Sequence, residues 1–261
     1  MQTLYKNRLV LDIMAGMMFF TRIPIKWPYF SDEPPDLTRA AWAFPLVGLI
    51  VGFLSGAIGD ICIAIGLPLF LSCVLSIALS IVMTGAFHED GLADMADGFG
   101  AGGSPKRVNE IMHDSTLGTY GVAALNLGIL IRLGVVICLA ELGYSLIEIL
   151  SIGFASGKLA ILFTRNLIAP SDFAKMGSVI DFIPSKTLLS AIGIWLLPTL
   201  GTFPFNGIAT GAIFSAGLIF LIRNRSNYHI GGVTGDILGA TAFLSELIFL
   251  LGIAVTVVSV D

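Results

Sequence analysis

Ala40-Ala41-Trp42-Ala43-Phe44-Pro45-Leu46-Val47-Gly48-Leu49-Ile50-Val51-Gly52-Phe53-Leu54-Ser55-Gly56-Ala57-Ile58-Gly59 carries no charge until Asp60 closes it. A bilayer hydrocarbon core asks for about 20 such residues in one helix, so this stretch reads as a membrane span. Gly48, Gly52, Gly56 and Gly59 recur at small-xxx-small spacing, which lets a second helix approach closely. Six further apolar stretches follow, at roughly 68–87, 122–140, 146–168, 188–202, 207–222 and 240–260. The one at 188–202 is short and contains Pro198. Composition agrees: 56% of the 261 residues are hydrophobic and 12% are charged, against roughly 25% charged in a soluble domain. A soluble globule, a disordered chain and a fibrous repeat are excluded. The reading is an all-α polytopic membrane bundle of about seven transmembrane helices, forming one catalytic domain over 1–261.

Ahead of the first span, Lys6 and Arg8 precede the apolar run Leu9 to Phe20, which Asp12 interrupts. No small-residue cleavage site follows, so this segment reads as an uncleaved interfacial or re-entrant helix. Cys62, Cys73 and Cys138 all lie in apolar runs without metal spacing and read as small buried hydrophobes.

Positive charge orients the spans, because short cytoplasmic loops retain lysine and arginine. Segments 1–39, 88–121, 169–187 and 223–239 hold Lys6, Arg8, Arg22, Lys26, Arg39, Lys106, Arg107, Lys175, Lys186, Arg223 and Arg225. The alternate connections at 61–67, 141–145 and 203–206 hold none. This places the N-terminus, His88, His113 and His229 on the cytoplasmic side of a cell membrane and Asp261 outside. A net charge of −4 gives no sign of nucleic acid as a partner.

The chemistry concentrates in 84–121, where six of the 18 acidic residues lie: Glu89, Asp90, Asp94, Asp97, Glu110 and Asp114. At about 100° per helical residue, Asp90, Asp94 and Asp97 point within roughly 60° of one another. Like charges one turn apart repel, and a hard cation offsets that. Mg²⁺ suits such a face, since it takes one or two carboxylates and completes its shell with water and substrate phosphate. A solvated acidic helix start is the plainer alternative. Ser104-Pro105 then predicts an N-cap and first turn of a helix to about His113. Its polar side would carry Lys106, Arg107, Glu110, His113 and Asp114. Lys106 and Arg107 are either phosphate ligands or ordinary membrane-flanking anchors.

A second polar stretch, Arg223 to Asp236, contains Gly231-Gly232-Val233-Thr234-Gly235 directly before the last span. Glycines there can aim backbone N–H groups at an anion, and Asp236 either caps the helix or binds metal. Within the spans, Arg132, Glu148, Lys158 and Glu246 are costly in hydrocarbon; a structural pair such as Arg132 with Glu246 and a contact to substrate stand as alternatives.

Together these residues resemble a known family. Phe87-His88-Glu89-Asp90-Gly91-Leu92-Ala93-Asp94-Met95-Ala96-Asp97-Gly98, then Glu110-Ile111-Met112-His113-Asp114-Ser115 and Gly118-Thr119-Tyr120-Gly121, look like the signature of cobalamin synthase, the adenosylcobinamide-GDP ribazoletransferase family. Thr21-Arg22-Ile23-Pro24, Phe44-Pro45-Leu46-Val47-Gly48 and Gly231 to Ala240 followed by Glu246 agree with it in order. The chain departs from the expected pattern at His113, Thr116 and Lys158, where the family carries other basic residues. The resemblance implies a membrane enzyme that joins adenosylcobinamide-GDP to α-ribazole or its 5′-phosphate, releases GMP and uses Mg²⁺. Membrane lipid is its surrounding, and self-association is left open. On this reading Asp90, Asp94, Asp97 and Asp236 hold metal. His88 is the first choice of general base and Asp114 the second; Lys106, Arg107, Lys158, Arg223, Gly232 and Thr234 contact substrate. His88 points about 200° from Asp90 on a continuous helix, so it reaches the same substrate only if the chain bends there, which Gly85 and Gly91 would permit.

The nearest rivals are a CDP-alcohol phosphotransferase and a prenyltransferase-like enzyme acting on a diphosphate. The first lacks its wider-spaced aspartate pattern here, because Ala93 is followed by Asp94. The second lacks its second aspartate-rich motif, because Asp236 stands alone. A transporter would place carboxylates at mid-membrane.

Overall fold

The computed structural model describes residues 7–27, 30–31, 33–174 and 180–258, with the side chain of Val258 excepted. Lys6, Lys175 and Asp261, which entered the orientation argument, lie outside the described residues. The architecture is all-helical. Eleven α-helices are described: α1 (Arg8–Phe20), α2 (Leu37–Ala40), α3 (Phe44–Ala64), α4 (Leu69–Thr84), α5 (Phe87–Ala101), α6 (Pro105–Met112), α7 (Thr119–Glu141), α8 (Leu146–Leu167), α9 (Ser185–Thr202), α10 (Phe205–Ile230) and α11 (Gly235–Val258). Among the described residues the only β-type pairing is an isolated parallel bridge between Pro170 and Val233.

The expected count of seven spans is approximate. Five helices are long and apolar enough to cross a membrane: α2 and α3 with their 3-10 link, α7, α8, α10 and α11. A sixth arises if α4 and α5, bent by 85° to one another, count as one broken span. With 16 residues, α4 is about 24 Å long and falls short of a hydrocarbon core of about 30 Å. The candidate at 188–202 is α9, whose first turn is Ser185-Lys186-Thr187 and whose interior holds Pro198. These residues dilute its apolar length below that of the other spans.

Mutual burial sorts the helices. α8 and α11 are enclosed on most sides and form the centre, whereas α7 and α10 bury only part of their surface. Leu127, Leu130, Ile213 and Phe220 are exposed on those outer helices, as a hydrocarbon solvent permits. The α3 glycines do what their spacing predicts. A β-carbon at Gly48 would stand 2.7 Å from the Ala155 backbone, and one at Gly56 2.5 Å from the Ile147 Cα. α3 and α8 therefore pack backbone to backbone.

The connections gather at two ends. At one, Asp60 accepts from the Leu146 and Ile147 amides at 2.9 and 3.1 Å, capping the start of α8 from another helix. At the other, Arg22 N donates to Met83 O, Asp181 N to the Thr38 hydroxyl, and Val233 N to Ala169 O. The four segments that carry the basic loop residues thus meet at one end of the bundle.

Candidate functional site

α4 ends on Gly85 in the left-handed conformation, φ 66°, and Ala86 follows it there at φ 58°. This corner throws α5 away at 85° and starts the acidic motif as one uninterrupted helix from Phe87 to Ala101. Asp90 is exposed, Asp94 half-buried and Asp97 buried. α5 lies against the start of α11, because Gly91 lacks a side chain: a β-carbon there would stand 2.5 Å from the Asp236 carbonyl oxygen. This contact brings Asp236 to the acidic face. Asp94 lies within electrostatic reach of Asp90, Asp97 and Asp236, and Asp236 within reach of Asp90 and His113. No lysine or arginine among the described residues forms an ion pair with any of the four aspartates.

Asp97 has a second employment. Its Oδ2 accepts from Gly118 N at 2.7 Å and its Oδ1 from Gly121 N at 2.8 Å, so it caps the N-terminus of α7 from a different helix. Asp236 takes a 3.5 Å contact from the Thr234 hydroxyl. No three His, Cys, Asp or Glu side chains among the described residues converge as a metal cage. What exists is an open, all-oxygen face led by Asp90 and Asp94. That donor set fits a Mg²⁺ ion, which takes one or two carboxylates and fills its remaining positions from water and substrate phosphate.

α6 forms where Ser104-Pro105 places it, with the Ser104 hydroxyl accepting from Arg107 N. Val108 and Met112 pack it onto α5 at Gly98, while Lys106, Arg107, Glu110, His113 and Asp114 are exposed. A cleft of about 340 Å³ opens beside it, lined by Asp97, Arg107, Glu110, Asp114, Thr116 and Tyr120 among others. Arg107 lies 3.6 Å from Glu110. The Thr116 hydroxyl and amide both donate to Asp114 Oδ1, at 2.6 and 2.9 Å, and hold this exposed carboxyl below the usual carboxylate range. Such a group is a weak base at neutral pH. His113, to which the sequence reading gave no catalytic role, has its Nδ1 2.9 Å from the Asn109 carbonyl. A carbonyl only accepts, so a neutral His113 donates from Nδ1 and leaves the Nε2 lone pair open.

Other candidates are not brought to this face. α5 does not bend between His88 and Asp90, so the condition for His88 acting there is unmet; the break falls one turn earlier, at Gly85-Ala86. His88 is buried, stacks on Phe20 at 5.8 Å between centroids and lies with Nε2 3.2 Å from Lys158 Nζ. Lys158 is itself buried, 4.8 Å above the Phe20 ring. Arg223 is exposed on α10. Gly232 is buried where a β-carbon would meet the Ser171 amide at 2.5 Å, and next to it Ser171 N donates to Val233 O and Val233 N to Ala169 O. The glycine segment therefore serves a tight backbone crossing, and Thr234 is buried beside it.

Arg132, one of the span residues left between structural and substrate roles, pairs with Glu246 at 2.9 Å. Sequence reasoning missed its second partner, Glu89, at 2.7 Å. Glu89 sits inside the acidic motif, and the available signal was that it falls about 100° off the Asp90 face, toward the bundle.

The chain matches the family model described as cobalamin-5-phosphate synthase over residues 12–254. The chain belongs to that family. Relatives named adenosylcobinamide-GDP ribazoletransferase align over most of the chain. The protein of Azorhizobium caulinodans is 36% identical over 95% of this chain and 97% of its own. That of Xanthobacter autotrophicus is 34% identical over 95% and 97%, and that of Brucella anthropi 32% over 95% and 98%. No solved structure matches the chain. As a member of the cobalamin-5-phosphate synthase family, the chain is an enzyme of cobalamin assembly built from membrane helices. Its motif from His88 to Gly98 is the α5 surface just described.

Proposed function

We propose that this chain is a Mg²⁺-dependent adenosylcobinamide-GDP ribazoletransferase of the cell membrane, with its site at the cytoplasmic end. The observation that carries the reading is the family match over residues 12–254, laid over an acidic face that has no lysine or arginine ion pair among the described residues. A ribose hydroxyl of α-ribazole or its 5′-phosphate attacks the cobinamide-side phosphorus of the diphosphate; the bond to the outgoing phosphate breaks and GMP leaves. Asp90 and Asp94, with Asp236 beside them, would hold the metal; Mg²⁺ when bound supplies charge neutralisation to diphosphate oxygens. Asp97 would contribute through lone pairs left over from capping α7. Lys106 and Arg107 lie on the exposed side of α6, within reach of a substrate in the cleft, and are assigned to phosphate oxygens. Of the proton acceptors, His113 is favoured over His88 and Asp114. It is exposed, lies near Asp236 and has a free Nε2, whereas His88 is enclosed and Asp114 is held acidic.

The deciding assay gives purified protein in detergent adenosylcobinamide-GDP, α-ribazole 5′-phosphate and Mg²⁺. GMP release with cobamide formation is expected; no product under any divalent cation would refute the reading. Sidedness is checked separately. Cysteines placed at 103 and 230 should react only from the cytoplasmic side and one at 143 only from outside, and labelling of 103 and 230 from opposite sides would break the single-site arrangement.

A further inference from the structure

Arg132 is 1% exposed, enclosed by α5, α7, α8 and α11. Its Nη1 donates to Glu89 Oε1 on α5 at 2.7 Å and its Nη2 to Glu246 Oε2 on α11 at 2.9 Å. The Phe243 ring lies 4.3 Å from its Cζ and packs the planar group from one face. The guanidinium is divided between two helices. A bidentate pair would engage both oxygens of one carboxylate, whereas here each carboxylate uses one oxygen, and Glu89 Oε2, Glu246 Oε1 and Arg132 Nε find no hydrogen-bond partner among the described residues. Buried ions arranged this way contribute little stability compared with apolar packing; their best-attested use is to set registry.

That registry bears on the acidic face. Glu89 immediately precedes Asp90 on a continuous helix, so holding Glu89 fixes the azimuth of Asp90 and, one turn on, Asp94. Glu246 stands ten residues beyond Asp236 on α11, so holding it fixes the helix from which Asp236 projects. Gly91 against the Asp236 carbonyl sets how close the two helices come, but a glycine contact does not resist rotation. We propose that Arg132 is a positioning residue: a two-pronged clamp between α5 and α11 that sets the rotation at which Asp90 and Asp94 face Asp236. This rests on the proposed role of those aspartates in holding a cation, so the test separates the two.

Mn²⁺ binding to the purified full chain in detergent, without substrate, is followed by electron paramagnetic resonance, with turnover and melting measured alongside. The wild-type protein should bind Mn²⁺ and Asp94→Asn should lose it; if neither holds, the cation reading falls and the clamp with it. Given that binding, Arg132→Lys keeps the charge but cannot span both carboxylates, and should weaken Mn²⁺ affinity at least tenfold and lower kcat while melting shifts by only a few degrees. The charge-balanced variant Arg132→Met/Glu89→Gln, which leaves Glu246 beside Lys158, should fold with near-native melting and show the same weakened affinity, which keeps the test alive if Arg132→Lys does not fold. Mn²⁺ affinity within twofold of wild type in either folded variant overturns the proposal. Failure of both to fold also overturns it, by making Arg132 a stability element only.

Discussion

Glu89 and Asp90 are neighbours on α5 and live in opposite surroundings. Glu89 is buried and paired with Arg132, in a cluster where Arg132 and Lys158 stand beside Glu89 and Glu246. Asp90 is exposed and joins Asp94 and Asp236 on a face where carboxylates accumulate without a lysine or arginine ion pair among the described residues. One residue of helix, about 100°, separates the two. Inside the bundle a lone charge is prohibitive, so charges are matched. At the rim, water tolerates an unmatched set, and the surplus negative charge is left for something that binds.

The largest expected effect tests the unmatched side. Asp90→Asn or Asp94→Asn keeps shape and removes charge, and should reduce GMP release about 10³-fold, roughly 4 kcal/mol of transition-state stabilisation. Melting should hardly move, and a variant with near-normal turnover would make the face mere solvation. Next comes the division of histidines. His113→Gln should cost turnover about 10²-fold or more, as removal of a general base does. His88→Phe should cost less than tenfold in turnover while lowering stability by about 1–3 kcal/mol, because it takes the hydrogen-bond acceptor from buried Lys158. The reverse pattern would return the base to His88. Gly91→Ala drives a β-carbon against the Asp236 carbonyl, and overpacking of this kind costs about 1–3 kcal/mol in a denaturant or thermal melt. Asp97→Asn is the smallest: as a cap of α7 it should cost about 1 kcal/mol of stability. A turnover loss as large as that of Asp94→Asn would show Asp97 acting as a ligand as well.

Several features were legible because they are local. The α3 glycine stripe announces a close partner helix whatever that helix is. Ser104-Pro105 starts α6 at the expected residue, and the apolar runs yield α7 and α8 close to their bounds, whereas α10 continues past the expected 222 to Ile230 and α11 begins at Gly235 rather than 240. The seventh span was the weak point, since α9 begins with polar residues and α4 stops short at a left-handed corner. The capping role of Asp97 was hidden for a physical reason: three aspartates on one helical face look equivalent along the chain, and only the arrival of Gly118 and Gly121 distinguishes the third.

By itself, then, the sequence determined the solvent this chain lives in, the helical class, the alternation of charged and uncharged connections and the motif that places it in its family. These follow from hydropathy, period and spacing, which act within one or two helical turns. Tertiary structure alone decided by which contact Asp236 is brought to Asp90 and Asp94, that His88 turns inward to Lys158 while His113 faces the rim, and that Arg132 divides itself between Glu89 and Glu246. Each of those depends on how one helix is placed and rotated against another far away in the chain, which is decided by contacts between surfaces, with Gly91 against Asp236 setting how close α5 and α11 come.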